Sequence, residues 1–265
     1  MIDARARRGL GFYAAAVCVF SLLPVAAIVA ESFTATNYIV FPPQGFTLKW
    51  YAAIADRPEF LQSAITSLIV ACGASVIATV LGTLSAIALS RFSFPGRQAL
   101  QSLFMAPLSL PGLIFGLALL QFFTARDLPR DIPALMIGHI VITMPFAIRF
   151  VTVSLTGVNA TVELAAQSLG APPLTAFRLI TLPLIRSGII ASLLFSFILS
   201  FDDVAVSLFL SNANATTLPV RIYTYIDQNY DPLVTAVSAL VVFLAFLVLA
   251  TIERVMGLGR MFGIR

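Results

Sequence analysis

Residues 157–186 read Gly157-Val158-Asn159-Ala160-Thr161-Val162-Glu163-Leu164-Ala165-Ala166-Gln167-Ser168-Leu169-Gly170-Ala171-Pro172-Pro173-Leu174-Thr175-Ala176-Phe177-Arg178-Leu179-Ile180-Thr181-Leu182-Pro183-Leu184-Ile185-Arg186. The stretch is more polar than the apolar runs on either side, 133–156 and 187–208. Asn159, Ala160 and Thr161 lead into a helical run from Val162 to Leu169. Gly170 ends that run by accepting a left-handed conformation. Pro172 and Pro173 open a second run, because proline is tolerated in a first helical turn. This second run, Leu174 to Ile180, is expected to stop at Leu182-Pro183. The pattern predicts a short helix–turn–helix at a membrane surface, suited to docking. An ordinary re-entrant or interfacial connector is the competing reading.

The rest of the chain explains why a membrane is involved. Of 265 residues, 59% are hydrophobic and only 11% charged. Soluble domains are about 25% charged, so a soluble globular protein is excluded. A disordered chain is excluded as well, since it would lack hydrophobic residues. Six apolar runs stand out, at about 10–30, 63–90, 100–123, 133–156, 187–208 and 233–256. Each approaches the ~20 residues that cross a bilayer core. Backbone groups in lipid must be bonded internally, so all six are expected to be helices. Reading the chain with its N-terminus inside puts Arg5, Arg7, Arg8, Arg91, Arg97, Arg149, Arg178, Arg186, Arg254, Arg260 and Arg265 on the inner side. Lys49, Arg57, Arg126, Arg130 and Arg221 fall outside. Basic residues favour the cytoplasmic side, so both termini are expected there. The first run has the basic start of a signal peptide, but its apolar stretch is longer than a signal's. It is read as a retained first helix.

Cys18 and Cys72 lie within apolar runs and are read as small buried residues, neither a disulfide framework nor a zinc site. No metal-ligand cluster is expected. His139 is the sole histidine, which excludes a His-rich metal site and leaves a packing or interfacial role. Pro107, Pro111, Gly112 and Gly116 interrupt the third run, and Pro145 sits near the end of the fourth. Both spans are expected to bend and to line the interior, where neighbours satisfy freed carbonyls. Trp50 and Tyr51 suit the membrane–water interface. No P-loop is present. That motif needs a Gly-Lys pair, and the only lysine, Lys49, follows Leu48.

Asp202 and Asp203 lie about 15 residues beyond Arg186, roughly 22 Å along a helix and past the bilayer midplane. An intramembrane charge costs ~2.5–3.5 kcal/mol on insertion scales, so such acids face a cavity or a partner. Adjacent positions point ~100° apart, so both cannot face one path. One is expected to line the path beside Phe201, attracting a cation, while the other bonds to a neighbour. A purely structural acid, or a helix end at the outer interface, remains open. Tyr223, Tyr225 and Tyr230, with Asp227 and Asp231, form an outer connection suited either to an organic cation or to an interface belt. Read alone, these acids also admit a different class, a secondary transporter or channel using Asp202 or Asp203 as an ion or proton site.

The 163–183 stretch can be written Glu163-x-Ala165-Ala166-x3-Gly170-x9-Ile180-x-Leu182-Pro183. It resembles the E-A-A-x3-G-x9-I-x-L-P loop of ABC importer permeases, the binding-protein-dependent transport inner membrane components. Here Leu164 stands between Glu163 and the two alanines. The resemblance runs from Gly45-Phe46-Thr47-Leu48-Lys49-Trp50-Tyr51 to the sixth span. It includes Ser200-Phe201-Asp202-Asp203 and Thr217-Leu218-Pro219-Val220-Arg221-Ile222-Tyr223, and it is nearest to second permeases of spermidine/putrescine importers. It implies an all-α membrane protein with six transmembrane helices and a methionine-importer-like, type I fold. The whole chain, 1–265, would form one permease domain with a five-helix core at 63–256 and a cytoplasmic coupling loop at 157–186. Glu163, Ala165, Ala166, Gly170, Ile180, Leu182 and Pro183 would couple it to an ATPase. Asp202, Asp203, Phe201, Tyr223 and Tyr225 would line the substrate path. The chain would be a transporter subunit of the bacterial inner membrane, not an enzyme. It would carry no cofactor, because ATP and Mg would bind the partner ATPase. Expected partners are a second homologous permease, two cytoplasmic ATPase subunits and an extracytoplasmic binding protein. The expected cargo is a small solute such as a polyamine.

Overall fold

The computed structural model describes residues 4–256, and every regular element among them is helical. In chain order these are α1 (Ala4–Glu31), α2 (Lys49–Ala55), α3 (Pro58–Arg91), α4 (Arg97–Met105), α5 (Gly112–Ala125), α6 (Ile132–Thr156) and α7 (Ala160–Ser168). They continue as α8 (Pro173–Ala176), α9 (Leu182–Leu184), α10 (Arg186–Asp202), α11 (Ala205–Leu210), α12 (Leu218–Gln228) and α13 (Leu233–Met256). Among the described residues, three helices are individually long and apolar enough to cross a membrane: α1 from Gly9, α3 and α6. Two bent helix pairs raise the candidates to five. The 24-residue α13 coincides with the sixth apolar run.

The third and fourth runs behave differently, and the reason is chemical. The third is broken: Arg97–Ser109 and Gly112–Ala125 meet at 109°. Leu110, forced out of the helical region by the proline that follows, is extended (φ −98°, ψ 134°). Pro111 is extended too, and its carbonyl accepts the Phe115 N–H at 3.0 Å to start α5. In the fourth run, by contrast, the helix continues through Pro145 from Ile132 to Thr156. Its expected interior position stands, since Gly138, His139, Thr143, Pro145, Ala147 and Val151 are all buried. Cys18 and Cys72 are exposed on the outward faces of their helices, which corrects their reading as buried residues.

The chain separates into two compact units, described here in turn. One holds residues 61–221 and is built on two apolar clusters. Val70, Phe123, Leu135, Val206 and Leu210 form the first. Ala86, Leu89, Ile148, Val151, Leu155 and Ile185 form the second. The close packing of α10 on α6 follows from a stripe four residues apart: Gly188, Ser192, Ser196 and Ser200, all buried. Small side chains let helix backbones approach without a hydrophobic driving force. A Cβ at Gly188 would collide with Ser154 and the Phe150 carbonyl of α6. Ser192 also shares a hydrogen bond of 3.1 Å with Thr79 on α3, a contact worth about 0.6 kcal/mol within a bilayer.

The other unit comprises the described parts of 1–60 and 222–265, in which α13 packs on α1 and α2. The loop before α2 is closed by Lys49, whose Nζ donates to the Ala35 carbonyl (2.8 Å) and to Asn37 (2.7 Å) and lies 4.7 Å from the Trp50 ring. Trp50 donates its indole N–H to the Thr34 carbonyl at 2.9 Å.

Candidate functional site

The 157–186 loop folds into the expected helix–turn–helix, with a cap at each end of α7. Asn159 accepts the Thr161 N–H at 2.9 Å, satisfying one of the donors that a helix start leaves free. At the other end Gly170 takes a left-handed φ of +93°. The Ala171 N–H reaches the Ala166 carbonyl (3.1 Å) and the Gly170 N–H reaches that of Gln167 (2.9 Å). This paired closure ends a helix where only glycine fits without strain. The second arm does not stop at Leu182-Pro183 as expected. It runs on through α9, and the turn before it, Phe177–Thr181, is widened into a π-helix. Pro183 has no N–H to give the ladder, so a local change of register is the natural accommodation. The arm then meets α10 at 65°.

The loop has an anchored side and an open side. Val158 packs against the second apolar cluster, and Ala176 and Thr181 are buried. Leu164 (60% exposed), Leu169 (89%), Val162, Leu174 and Leu179 are open. Ala165 is exposed, Ala166 and Ile180 are half-buried, and Leu182 and Pro183 are exposed. Val158 stands at helical spacing from Val162, Ala165 and Leu169, yet it belongs to the anchored side.

Glu163 turns inward, away from that open row. One of its carboxylate oxygens accepts both the Arg91 guanidinium at 2.7 Å and the Thr181 hydroxyl at 2.6 Å. The carboxylate therefore joins the end of α3, the first arm and the second arm. Arg91 and Thr181 were not singled out in the sequence as partners of Glu163. Counted back from Gly170, the motif's acid position falls on Leu164, with Glu163 one residue earlier. That offset is the signal that Glu163 faces a different way.

The two adjacent acids, Asp202 and Asp203, separate clearly. Predicted span 187–208 is not one helix, because α10 ends at Asp202 and Asp203 is extended (ψ 123°). One Asp203 oxygen accepts the N–H groups of Val206 (3.0 Å) and Ser207 (2.9 Å), capping α11. Asp202 is exposed, whereas Phe201 is half-buried and stacks with Phe197, centroids 5.9 Å apart. Behind the break lies His139, wholly buried on α6. Its Nδ1 lies 2.7 Å from the Ser200 hydroxyl and its Nε2 2.9 Å from that of Ser207. Nε2 is 3.8 Å from the Asp203 carboxylate.

In the other unit, Tyr223 is exposed and Tyr225 is buried. The Tyr225 ring packs edge-on against Phe60 at 5.4 Å and its hydroxyl donates to Asp231 at 2.8 Å. Burial first, and then this bond to an anion, pushes the phenol up to about 12. Asp231 also accepts the Leu233 N–H at 3.1 Å, so it caps α13. Among the described residues, no three His, Cys, Asp or Glu side chains gather as a metal site.

A family model described as "Binding-protein-dependent transport system inner membrane component" matches residues 78–256. The chain is 30% identical, over 235 residues, to the spermidine/putrescine transport system permease protein PotC of Escherichia coli K12, covering 89% of each chain. Among solved structures, it resembles a bacterial ABC transporter that imports the acidic polysaccharide alginate (TM-score 0.70, 15% identity, 96% of this chain and 99% of that one). It also resembles the MetNI methionine ABC transporter in an inward-facing conformation (TM-score 0.56, 19% identity, 78% and 94%). These two likenesses are of fold: the chain follows the helical architecture of those ABC transporter chains. The match across most of its length makes this chain a member of the binding-protein-dependent transport inner membrane components, the non-catalytic permease subunits of ABC importers.

Proposed function

We propose that the chain forms half of the translocation path of an ATP-driven polyamine importer. The observation that carries this reading is the likeness to PotC over 89% of both chains. The exposed Asp202, set where helix α10 ends within an apolar run, supports it, because a polyamine is a flexible cation that a carboxylate attracts. Six spans are proposed, α13 and the two bent pairs included, with both termini cytoplasmic as the arginine distribution favours. Phe201 is assigned to the path with Asp202, and Asp203 supports them through the contacts already described; Tyr223 and Tyr225 are assigned to the path as well.

A second, homologous permease completes the path. Two ATPase subunits, which bind ATP and Mg, dock on the open leucine row of the 157–186 loop. An extracytoplasmic protein delivers the cargo. Closure of the ATPases pushes this loop, and the push reaches α3 through Glu163 and Arg91 and reaches α10 through the second arm. Alternating access follows from that motion. Affinity purification of the tagged chain from its native membrane, with mass spectrometry, tests the assembly. Recovery of an ATPase and a second permease is expected. Recovery of the stable chain alone would contradict the reading and favour an ion-coupled carrier.

A further inference from the structure

We infer that His139 is a positioning residue that sets the geometry of the α10–α11 break and thereby the presentation of Asp202. The inference rests on the reading that Asp202 lines the path. An imidazole has two polar edges on one rigid ring. Here one edge engages Ser200, two residues before the last residue of α10, and the other engages Ser207, within α11. The ring therefore spans the break from the side, anchored in a third helix, α6. Asp203 completes the arrangement. Its carboxylate holds the first N–H groups of α11 and lies on the Nε2 side of the ring. The carboxylate favours the tautomer with its proton on Nε2, so Nε2 donates to Ser207 and the Ser200 hydroxyl donates to Nδ1.

A broken helix within an apolar run has few ways to fix its bend, since Asp203 and Val204 interrupt the ladder between its halves. Ring position is itself constrained. The ring is wholly buried, the adjacent Gly138 is in close contact with Val206 and Leu210 of α11, and the Thr143 hydroxyl bonds to the His139 carbonyl at 2.7 Å. A purely space-filling role would need none of the ring's three polar partners. A bridging role needs both nitrogens, and both are engaged.

The test uses the full-length chain in membrane vesicles, with Cys18→Ser, Cys72→Ser and Asp202→Cys. The rate of labelling by an impermeant thiol reagent reports where position 202 sits. His139→Leu, similar in bulk but without polar edges, is expected to change that rate by about tenfold, the scale set by losing buried hydrogen bonds. His139→Gln, which keeps a donor and an acceptor, is expected to return it to within about threefold of the parent. An unchanged rate in a folded His139→Leu chain would overturn the inference. So would a glutamine variant indistinguishable from leucine, because the role would then be steric. Should His139→Leu fail to fold, Ser200→Ala and Ser207→Ala each remove one arm, and unchanged labelling in both would overturn the inference equally. In parallel, radiolabelled spermidine uptake is measured in cells carrying Asp202, with and without His139→Gln. Absence of uptake by the parent sinks the polyamine reading alone, leaving the labelling result to decide the role of His139.

Discussion

At the scale of single residues, the chain's two adjacent intramembrane acids show how far sequence can discriminate. Their ~100° separation on a helix dictates that they serve different ends. Which acid does which depends on a helix break that leaves no mark in the uniformly apolar run 187–208. From Ile189 to Leu208 there is no proline or glycine, only Asp203 finding the N–H groups of Val206 and Ser207. The assignment makes a prediction. Asp203→Ala should lower the thermal midpoint of the purified chain in detergent, through loss of a cap worth about 1 kcal/mol. Asp202→Asn should leave that midpoint in place and cut polyamine uptake about tenfold, the effect of losing ~1.4 kcal/mol of attraction. The reverse pattern would reassign the pair. Glu163 offers a second test. Its bonds to Arg91 and Thr181, of a kind worth about 2 kcal/mol when one partner is charged, hold the loop together. Arg91→Glu and Glu163→Arg should each impair ATP-driven uptake, and the double exchange should restore much of it. Failure of the exchange would mean that Glu163 acts on another partner.

At the scale of elements, the 157–186 loop is the most legible part of the chain. Asn159, Gly170 and Pro172-Pro173 are local signals, each acting within a few residues, and all three mark real boundaries. The break in the third run was legible for the same reason, since Pro107 and Pro111 act on their own neighbours. What escaped was the outcome of competition between elements. Pro145 is absorbed into α6, in a helix whose buried face packs against α10 and α11. The Ile180-x-Leu182-Pro183 end, expected as a stop, becomes a π-turn running into α9. Gly170→Arg tests the loop as a unit. The position is open, so the side chain itself fits, but the left-handed φ penalises any residue with a Cβ by about 1–2 kcal/mol. The variant should still insert in membranes and should lose its ATPase on purification. Normal co-purification would show that the open leucine row is not the docking surface.

For the molecule as a whole, the apolar composition and the six runs establish a multi-pass membrane protein. The family match then makes it an importer permease. The interior was only half readable. The stripe Gly188, Ser192, Ser196, Ser200 stands in the sequence at the spacing of one helix face, yet nothing local names α6 as its partner. His139 could be recognised as a packing residue, but its three contacts come from residues 61 to 68 positions away. The measurement that tests the central claim most directly is uptake of radiolabelled spermidine into proteoliposomes. These would contain this chain, its co-purified permease and ATPase, and the binding protein. The account predicts accumulation that requires ATP inside the vesicle on the ATPase side and stops when ATP is withheld. Accumulation driven by an ion gradient with no ATP present would contradict it.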